Sequence, residues 1–353
     1  MSAKHRKEKY FLSVFIFCIL FFVILMNIYL SLLKENYNYK KQNISFELYG
    51  KKYGHEFEDL KFKIYTANQL KKNIIIGSST SMTIRPELLG LNYYNLAKGN
   101  IRISEIKYVL DSLNYDPENI IILLDPYHFN ENFPEISKNN FFILNKLKEY
   151  FFYKDIQKYY FVQKNLLIFN RYSLVIKDFK KNFKKILKLK ENDSLIGFYA
   201  KMSNSGFRYD GSFKYPDNHR NKAYVKSNEV YILDSYPKQN LYFGKNAAFI
   251  NNYEEKLFFL TSKDNTYKRK ILVVLNTVES KFYRTVQQDK NYSKFLKNYR
   301  DVCGYLIIND IKCIDRINFA YENNIDSKLF YDPFHFRYEL SNNLLINILK
   351  DIN

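Results

Sequence analysis

The chain has 353 residues, 46% of them hydrophobic, which is enough to bury the core of one large domain or two small ones. Its formal net charge of +19 raises nucleic acid as a partner, but no helix-turn-helix, zinc-finger or aromatic RNA-binding pattern accompanies that charge. The abundance of Lys, Asn, Ile, Tyr and Phe, with no Trp and ten Gly, reads as a composition bias of the source genome and carries no functional weight.

Residues 1–9 form a short basic tail with Lys4, His5, Arg6, Lys7 and Lys9. Residues 10–33 follow, about 24 positions without a charge, long enough as a helix to cross a hydrocarbon core of roughly 30 Å. Bulky Ile, Phe and Leu run to the end of this stretch and no small-residue cleavage site closes it, so it is expected to be an uncleaved transmembrane helix rather than a signal peptide. The basic tail places the N-terminus on the cytoplasmic side and the body outside, although Lys34, Lys40 and Lys41 weaken the asymmetry. A body so exported meets no genome, and nucleic acid is set aside as a partner. The membrane itself, crossed once, is the first expected partner.

Residues 34–70 read as a polar, Tyr- and Lys-rich stalk, and residues 71–353 as the main domain. In that domain three apolar runs are expected to be buried strands: 73–77, stopped by Gly; 93–99; and 119–126, stopped by Asp-Pro. Between the second and third, residues 103–113 place Ile103, Ile106, Val109, Leu110 and Leu113 at helical spacing. Strand, helix, strand argues a parallel sheet with crossover helices, whose ligands gather at the carboxyl ends of the strands. The pattern resumes at 270–277, continues through a helical stretch at 292–302 and closes with a strand at 311–315. Residues 135–265 are too long for an ordinary crossover and are expected to form an inserted, partly helical subdomain or lid. Its basic stretch 173–191 suits burial against the main domain, with a membrane-surface helix as the other reading.

Three cysteines are present. Cys18 lies in the span. Cys303 and Cys313 could pair in an oxidising compartment, but ten residues of separation do not by themselves bring two Cα atoms within roughly 4.4–6.8 Å. These spacings suggest no metal site, and no cofactor is expected.

The stretch 77–81, Gly-Ser-Ser-Thr-Ser, falls at the end of the first strand. Its serines could cap a following helix, or Ser79 could be a nucleophile. A nucleophilic serine needs a base, normally a histidine oriented by a carboxylate. Of five histidines, only His128, after the third strand, and His335, near the C-terminus, follow strands whose ends could carry them to Ser79. Asp332 precedes His335 by three residues, a spacing that lets its carboxylate turn back to the imidazole Nδ1. Asp125, at the end of the third strand, reads as a turn residue or supporting acid, and His128 as a wall histidine.

These blocks resemble SGNH hydrolases. Residues 77–81 resemble their Gly-Asp-Ser motif, 332–335 their Asp-x-x-His block, and Gly99 the glycine block that lends a backbone N–H to the oxyanion hole. The resemblance covers residues 73–129 and 270–350. It implies a flavodoxin-like, three-layer α/β/α sandwich with a mostly parallel sheet, with Ser79 as nucleophile, His335 as base, Asp332 as its orienter, and the N–H groups of Ser79 and Gly99 as oxyanion donors. Ser78 replaces the usual Asp of the first motif, and no Asn-containing block follows the third strand, where Leu-Leu-Asp-Pro-Tyr-His-Phe stands instead.

Both departures are similar to the membrane-anchored branch of that superfamily that modifies envelope polymers, including proteins of teichoic-acid D-alanylation and exopolysaccharide O-acetylation. The resemblance therefore implies an exported esterase or O-acyltransferase acting on a cell-envelope glycan or polyol polymer, with a polytopic membrane acyltransferase as a further partner. The other reading is a non-catalytic relative that binds such a polymer or scaffolds the acyltransferase. The segment 206–216 also resembles one in that branch, without an assigned role.

Overall fold

The computed structural model describes residues 3–34, 46–51, 58–99, 101–131, 177–179, 181–182, 194–216, 248–288, 290–330 and 335–351. It divides into two units, one of Met1–Glu56 with Asn139–Gly206, the other of Phe57–Lys138 with Phe207–Asn353.

In the first unit the helix Ala3–Leu32 contains the apolar run Tyr10–Leu32, long and apolar enough to cross a membrane. Its 23 residues extend about 35 Å at 1.5 Å each, against roughly 30 Å of hydrocarbon. Most of this run is exposed, Phe11, Phe15 and Phe17 among its large side chains. Only its last turns are covered: Met26, Tyr29, Leu30 and Leu33 pack with Phe198. The strand Leu48–Tyr49 pairs in parallel with Leu195–Ile196.

In the second unit α1 (Glu58–Leu70) precedes β1 (Asn73–Ile76), followed by β2 (Tyr93–Asn95), α2 (Ile103–Asp111) and β3 (Ile120–Leu124). After Lys138 the unit resumes at Phe207, with the short strand Phe213–Lys214, and continues with α3 (Tyr253–Thr261), β4 (Ile271–Leu275), α4 (Ser280–Gln288), α5 (Lys290–Ile308), β5 (Lys312–Asp315), α6 (Phe319–Glu322) and α7 (Tyr338–Lys350). The five strands form one sheet in the order β2-β1-β3-β4-β5, and every pairing is parallel. The unit is α/β, as expected from the alternation of patterns.

Strand periodicity sorts the core. Ile74, Ile76, Ile120, Ile122, Leu124, Ile271, Val273 and Leu275 join one apolar cluster with residues of α1, α2, α3, α4 and α5. Ile75, Ile121, Leu123, Leu272 and Val274 join another with residues of α6 and α7. Alternate side chains of a strand point to opposite faces, so these strands are buried on both, which is why they read as unbroken apolar runs. In α2 the residues Ile103, Ile106, Val109 and Leu110 are buried, and Glu105 accepts the Arg102 N–H at 2.9 Å, closing the first turn.

Two expectations change, and one open pairing is settled. Of the polar stalk expected over 34–70, Glu58–Leu70 is instead a helix, because Leu60, Ile64 and Ala67 recur at helical spacing and enter the core. Polar composition hid this helix: Lys63 is itself buried, its ammonium donating to the Ala97 carbonyl at 2.6 Å. Cys303 and Cys313 form a disulfide with Cα atoms 5.3 Å apart. The chain reverses after α5, with Asp310 at φ 62°, and β5 runs back along its own helix, so residues ten apart meet. Of the expected insertion 135–265, Asn139–Gly206 belongs with the N-terminal unit, whereas Leu257 and Leu260 of α3 sit in the core of the sheet unit. Residues 135–176, 183–193 and 217–247 of that expectation, and with them most of the basic stretch 173–191, lie outside the described residues.

Candidate active site

β1 delivers the chain to Gly77, where side-chain room vanishes. A Cβ placed there would stand 2.6 Å from Ser81 Oγ, 2.8 Å from Ser81 Cβ and 3.3 Å from Leu123 Cβ, so glycine is what lets the following turn fold back on the strand end. Residues 79–83 are that turn, and no α-helix starts in it. The helix-capping role considered for Ser79 and Ser81 is thereby removed; the next helical residues are the single 3-10 turn Pro86–Leu89, preceded by Arg85. From Ile74 to Ile84 every residue is buried except Ser79. Its Oγ lies 2.8 Å from Nε2 of His335.

His335 is brought there from the far end of the sequence. An antiparallel bridge joins Phe330 to Phe336, and the Arg337 N–H donates to Leu329 O at 2.7 Å, closing the loop that carries the histidine. The segment after it is stitched to the serine turn: Thr83 Oγ1 donates to Phe336 O at 3.2 Å and lies 2.5 Å from Ser341 Oγ, and Arg85 N–H donates to Asn342 Oδ1 at 3.0 Å. Asp332, expected to orient the histidine, lies outside the described residues, as do 331–334 as a whole.

The loop after β2 is tied to the same strand end. Leu96 N–H donates to Ile75 O at 2.7 Å and Lys98 N–H to Gly77 O at 2.9 Å, which sets Gly99 beside the serine turn. Asn95 fixes the two loops together: its amide donates to Ser81 O at 2.9 Å and Ile84 O at 3.0 Å, and its Oδ1 accepts from Ala97 N–H at 2.8 Å. Around Gly99 there is space, the Met82 sulfur being 4.0 Å from where a Cβ would stand. Among the described residues the N–H groups of Ser79 and Gly99 donate to no backbone carbonyl. The segment 207–216 closes over this region, with Asn95 N–H donating to Asp210 O and Phe213 N–H to Met82 O. Gly211, at φ +80°, approaches so closely that a Cβ would meet Asn95 O at 2.1 Å.

Behind Ser79 lies a buried polar cluster centred on Asp125, at the end of β3. Ser78 Oγ donates to Asp125 Oδ2, and Thr80 Oγ1 donates to the same carboxylate, lying 3.0 and 3.1 Å from its two oxygens. Asn276, just past β4, gives its amide protons to Asp125 Oδ1 at 3.0 Å and Thr80 Oγ1 at 2.8 Å. Tyr299 of α5 donates to Leu124 O at 2.6 Å, and its hydroxyl accepts from Asn276 N–H at 3.1 Å. Burial pushes the Tyr299 phenol well above its ordinary value, so it stays protonated and serves as a donor.

His128 is buried, and the Asp125 N–H donates to its Nδ1 at 2.9 Å, so the ring braces the corner after β3. Burial lowers its pKa below the ordinary 6.5, outweighing the opposing pull of Asp125. Asp125 and His128 thus support the site from behind. The sequence reading missed Thr80, Asn95, Asn276 and Tyr299. For Asn276 a signal existed, since it follows a buried apolar strand just as Asp125 does.

A serine hydroxyl against an imidazole nitrogen, beside two backbone N–H groups at the carboxyl ends of parallel strands, has the parts for nucleophilic acyl chemistry. Among the described residues no cluster of His, Cys, Asp or Glu could hold a metal ion. No protein-family model matches the chain, and neither does any curated protein or solved structure.

Proposed function

We propose that this chain is a membrane-anchored acyl-ester enzyme of the SGNH type, with its body outside the cytoplasmic membrane and a flavodoxin-like α/β/α layering. The observation that carries the reading is the 2.8 Å contact between Ser79 Oγ and His335 Nε2 at the end of β1. Support for the layering comes from the parallel order β2-β1-β3-β4-β5, in which the site sits beside the strand where the order reverses. The Cys303–Cys313 disulfide supports an oxidising location for the body.

In this mechanism His335 takes the Ser79 proton as Oγ attacks the carbonyl carbon of an ester. The tetrahedral oxyanion is stabilised by the N–H groups of Ser79 and Gly99. His335 then returns the proton to the departing alcohol, leaving an acyl-serine, with Asp332 holding the imidazolium in place. Water completes hydrolysis; a hydroxyl of an envelope glycan or polyol polymer completes transfer. The apolar N-terminal helix favours transfer at the membrane surface, with a polytopic membrane acyltransferase as the source of acyl groups.

The non-catalytic alternative draws on the missing Asn block after β3, but a polymer-binding scaffold has no need of a hydroxyl held against an imidazole. The test is an acid-quenched reaction of the full chain with p-nitrophenyl acetate, followed by peptide mass analysis. An acetyl group on the peptide bearing Ser79, absent in Ser79→Ala, is expected; acetylation elsewhere, or none, would overturn the reading.

A further inference from the structure

Ser79 is flanked by two hydroxyl residues, and both are held by one carboxylate. Ser78 and Thr80 donate to Asp125 from either side of the nucleophile, and each is buried while Ser79 alone is not. Ser78 Oγ also accepts the Thr80 N–H at 3.2 Å, so the backbone between them is drawn into a tight arc over the carboxylate. Asn276, just past β4, adds its two amide protons, to Thr80 Oγ1 and Asp125 Oδ1. Every donor in the cluster has an acceptor, and the Asp125 carboxyl group receives three of them, from Ser78, Thr80 and Asn276, an arrangement in which no member can turn without leaving a buried polar atom unpaired.

We propose that Asp125, acting through Ser78, Thr80 and Asn276, is a positioning residue that fixes the serine turn so that Ser79 alone projects toward His335. A turn residue with two small polar neighbours could otherwise present any of three hydroxyls. With Ser78 and Thr80 anchored inward, the intervening side chain is forced outward, and the geometry of attack is set from beneath rather than by the substrate. This explains the Ser that stands at position 78 where the resembled motif carries an Asp: the carboxylate has moved to the neighbouring strand, and position 78 supplies the donor that meets it. The inference rests on the acyl-serine reading for its rate measurement, and a second measurement is independent of it.

The experiment uses the full chain in detergent micelles, with Thr80→Val, Thr80→Ser, Ser78→Ala and Asp125→Asn. The first measurement is the rate at which a fluorophosphonate labels Ser79. A displacement of the order of 1 Å in a reacting atom can reduce a rate about 100-fold, and Thr80→Val, which keeps shape but loses the hydroxyl, is expected to fall by that order. Thr80→Ser, which restores the donor, is expected to recover to within about threefold, about 0.6 kcal/mol. The second measurement is a crystal structure of Thr80→Val or, if that variant does not fold, of Ser78→Ala, read for the distance from Ser79 Oγ to His335 Nε2. Loss of that contact, with Thr80→Ser retaining it, supports positioning. Contact and labelling rate both unchanged in Thr80→Val and Ser78→Ala would overturn it. If the wild type takes no label, the acyl-serine reading fails, and the crystallographic distance still decides whether Asp125 and its partners hold Ser79.

Discussion

Gly77→Ala puts one methyl group where the fold has no room, and its consequences can be worked from three distances. The new Cβ would meet Ser81 Cβ at 2.8 Å and Ser81 Oγ at 2.6 Å, while Leu123 Cβ at 3.3 Å would need to give only a few tenths of an ångström. Carbon atoms rest at about 3.5–4.0 Å, so Ser81 must retreat by about 0.7–1.2 Å. Ser81 lies two residues from Ser79 in the same turn, and Gly77 O accepts the Lys98 N–H, so the strain reaches both Ser79 and the loop of Gly99. Overpacking of this kind costs about 1–3 kcal/mol. At about 2–4 °C for each kcal/mol in a unit of this size, the melting temperature followed by circular dichroism should fall measurably. Fluorophosphonate labelling of Ser79 should slow by about 100-fold. The second-site change Ser81→Gly removes both offending atoms and should restore much of each loss. A Gly77→Ala protein that melts and labels like the wild type would refute the claim that close approach at Gly77 shapes the site.

Three further outcomes are expected. Because the folded pKa of His128 lies below its ordinary 6.5, the unfolded chain binds a proton that the folded chain refuses as pH falls; stability should therefore be lost from about pH 6.5 downward, at up to ~1.4 kcal/mol per pH unit, and His128→Gln should flatten that slope in melts taken between pH 7 and 5. Breaking the Cys303–Cys313 bridge with Cys303→Ser and Cys313→Ser should destabilise the fold by about 2–3 kcal/mol from the loop it closes, read by denaturant titration; an unchanged midpoint would count against a structural disulfide. Protease added to intact spheroplasts should digest the body and spare a tag on the N-terminal tail, and the reverse pattern would invert the proposed topology.

Much of the α/β unit was legible because its strands are buried on both faces. Runs such as 120–124 and 271–275 have no polar positions to obscure them, and α2 kept its apolar stripe at Ile103, Ile106, Val109 and Leu110. α1 was not legible, since Lys61, Lys63 and Tyr65 interrupt a stripe that one buried ammonium joins rather than breaks. The pairing of Ser79 with His335 was legible from residue type and place along the chain, both following expected strands. The support beneath it was harder to read. Thr80 and Asn276 become partners only when β1, β3 and β4 lie side by side, a consequence of sheet order that spacing along the chain does not reveal. The disulfide was obscured for the same reason, because the reversal at Asp310 converts ten residues of separation into one helix–strand contact.

The most direct measurement of the central claim is labelling of the full chain in detergent with a fluorophosphonate, repeated with Ser79→Ala, His335→Ala and Asp332→Asn. An acyl-serine mechanism requires that Ser79 be the labelled residue, that Ser79→Ala abolish the label, and that His335→Ala slow it by about 10³-fold or more, since the hydroxyl is a weak nucleophile without its base. Loss of the Asp332 carboxylate should slow labelling by a comparable or smaller factor. Label that survives Ser79→Ala, or a rate indifferent to His335, would contradict the role given to the pair that stands 2.8 Å apart at the end of β1.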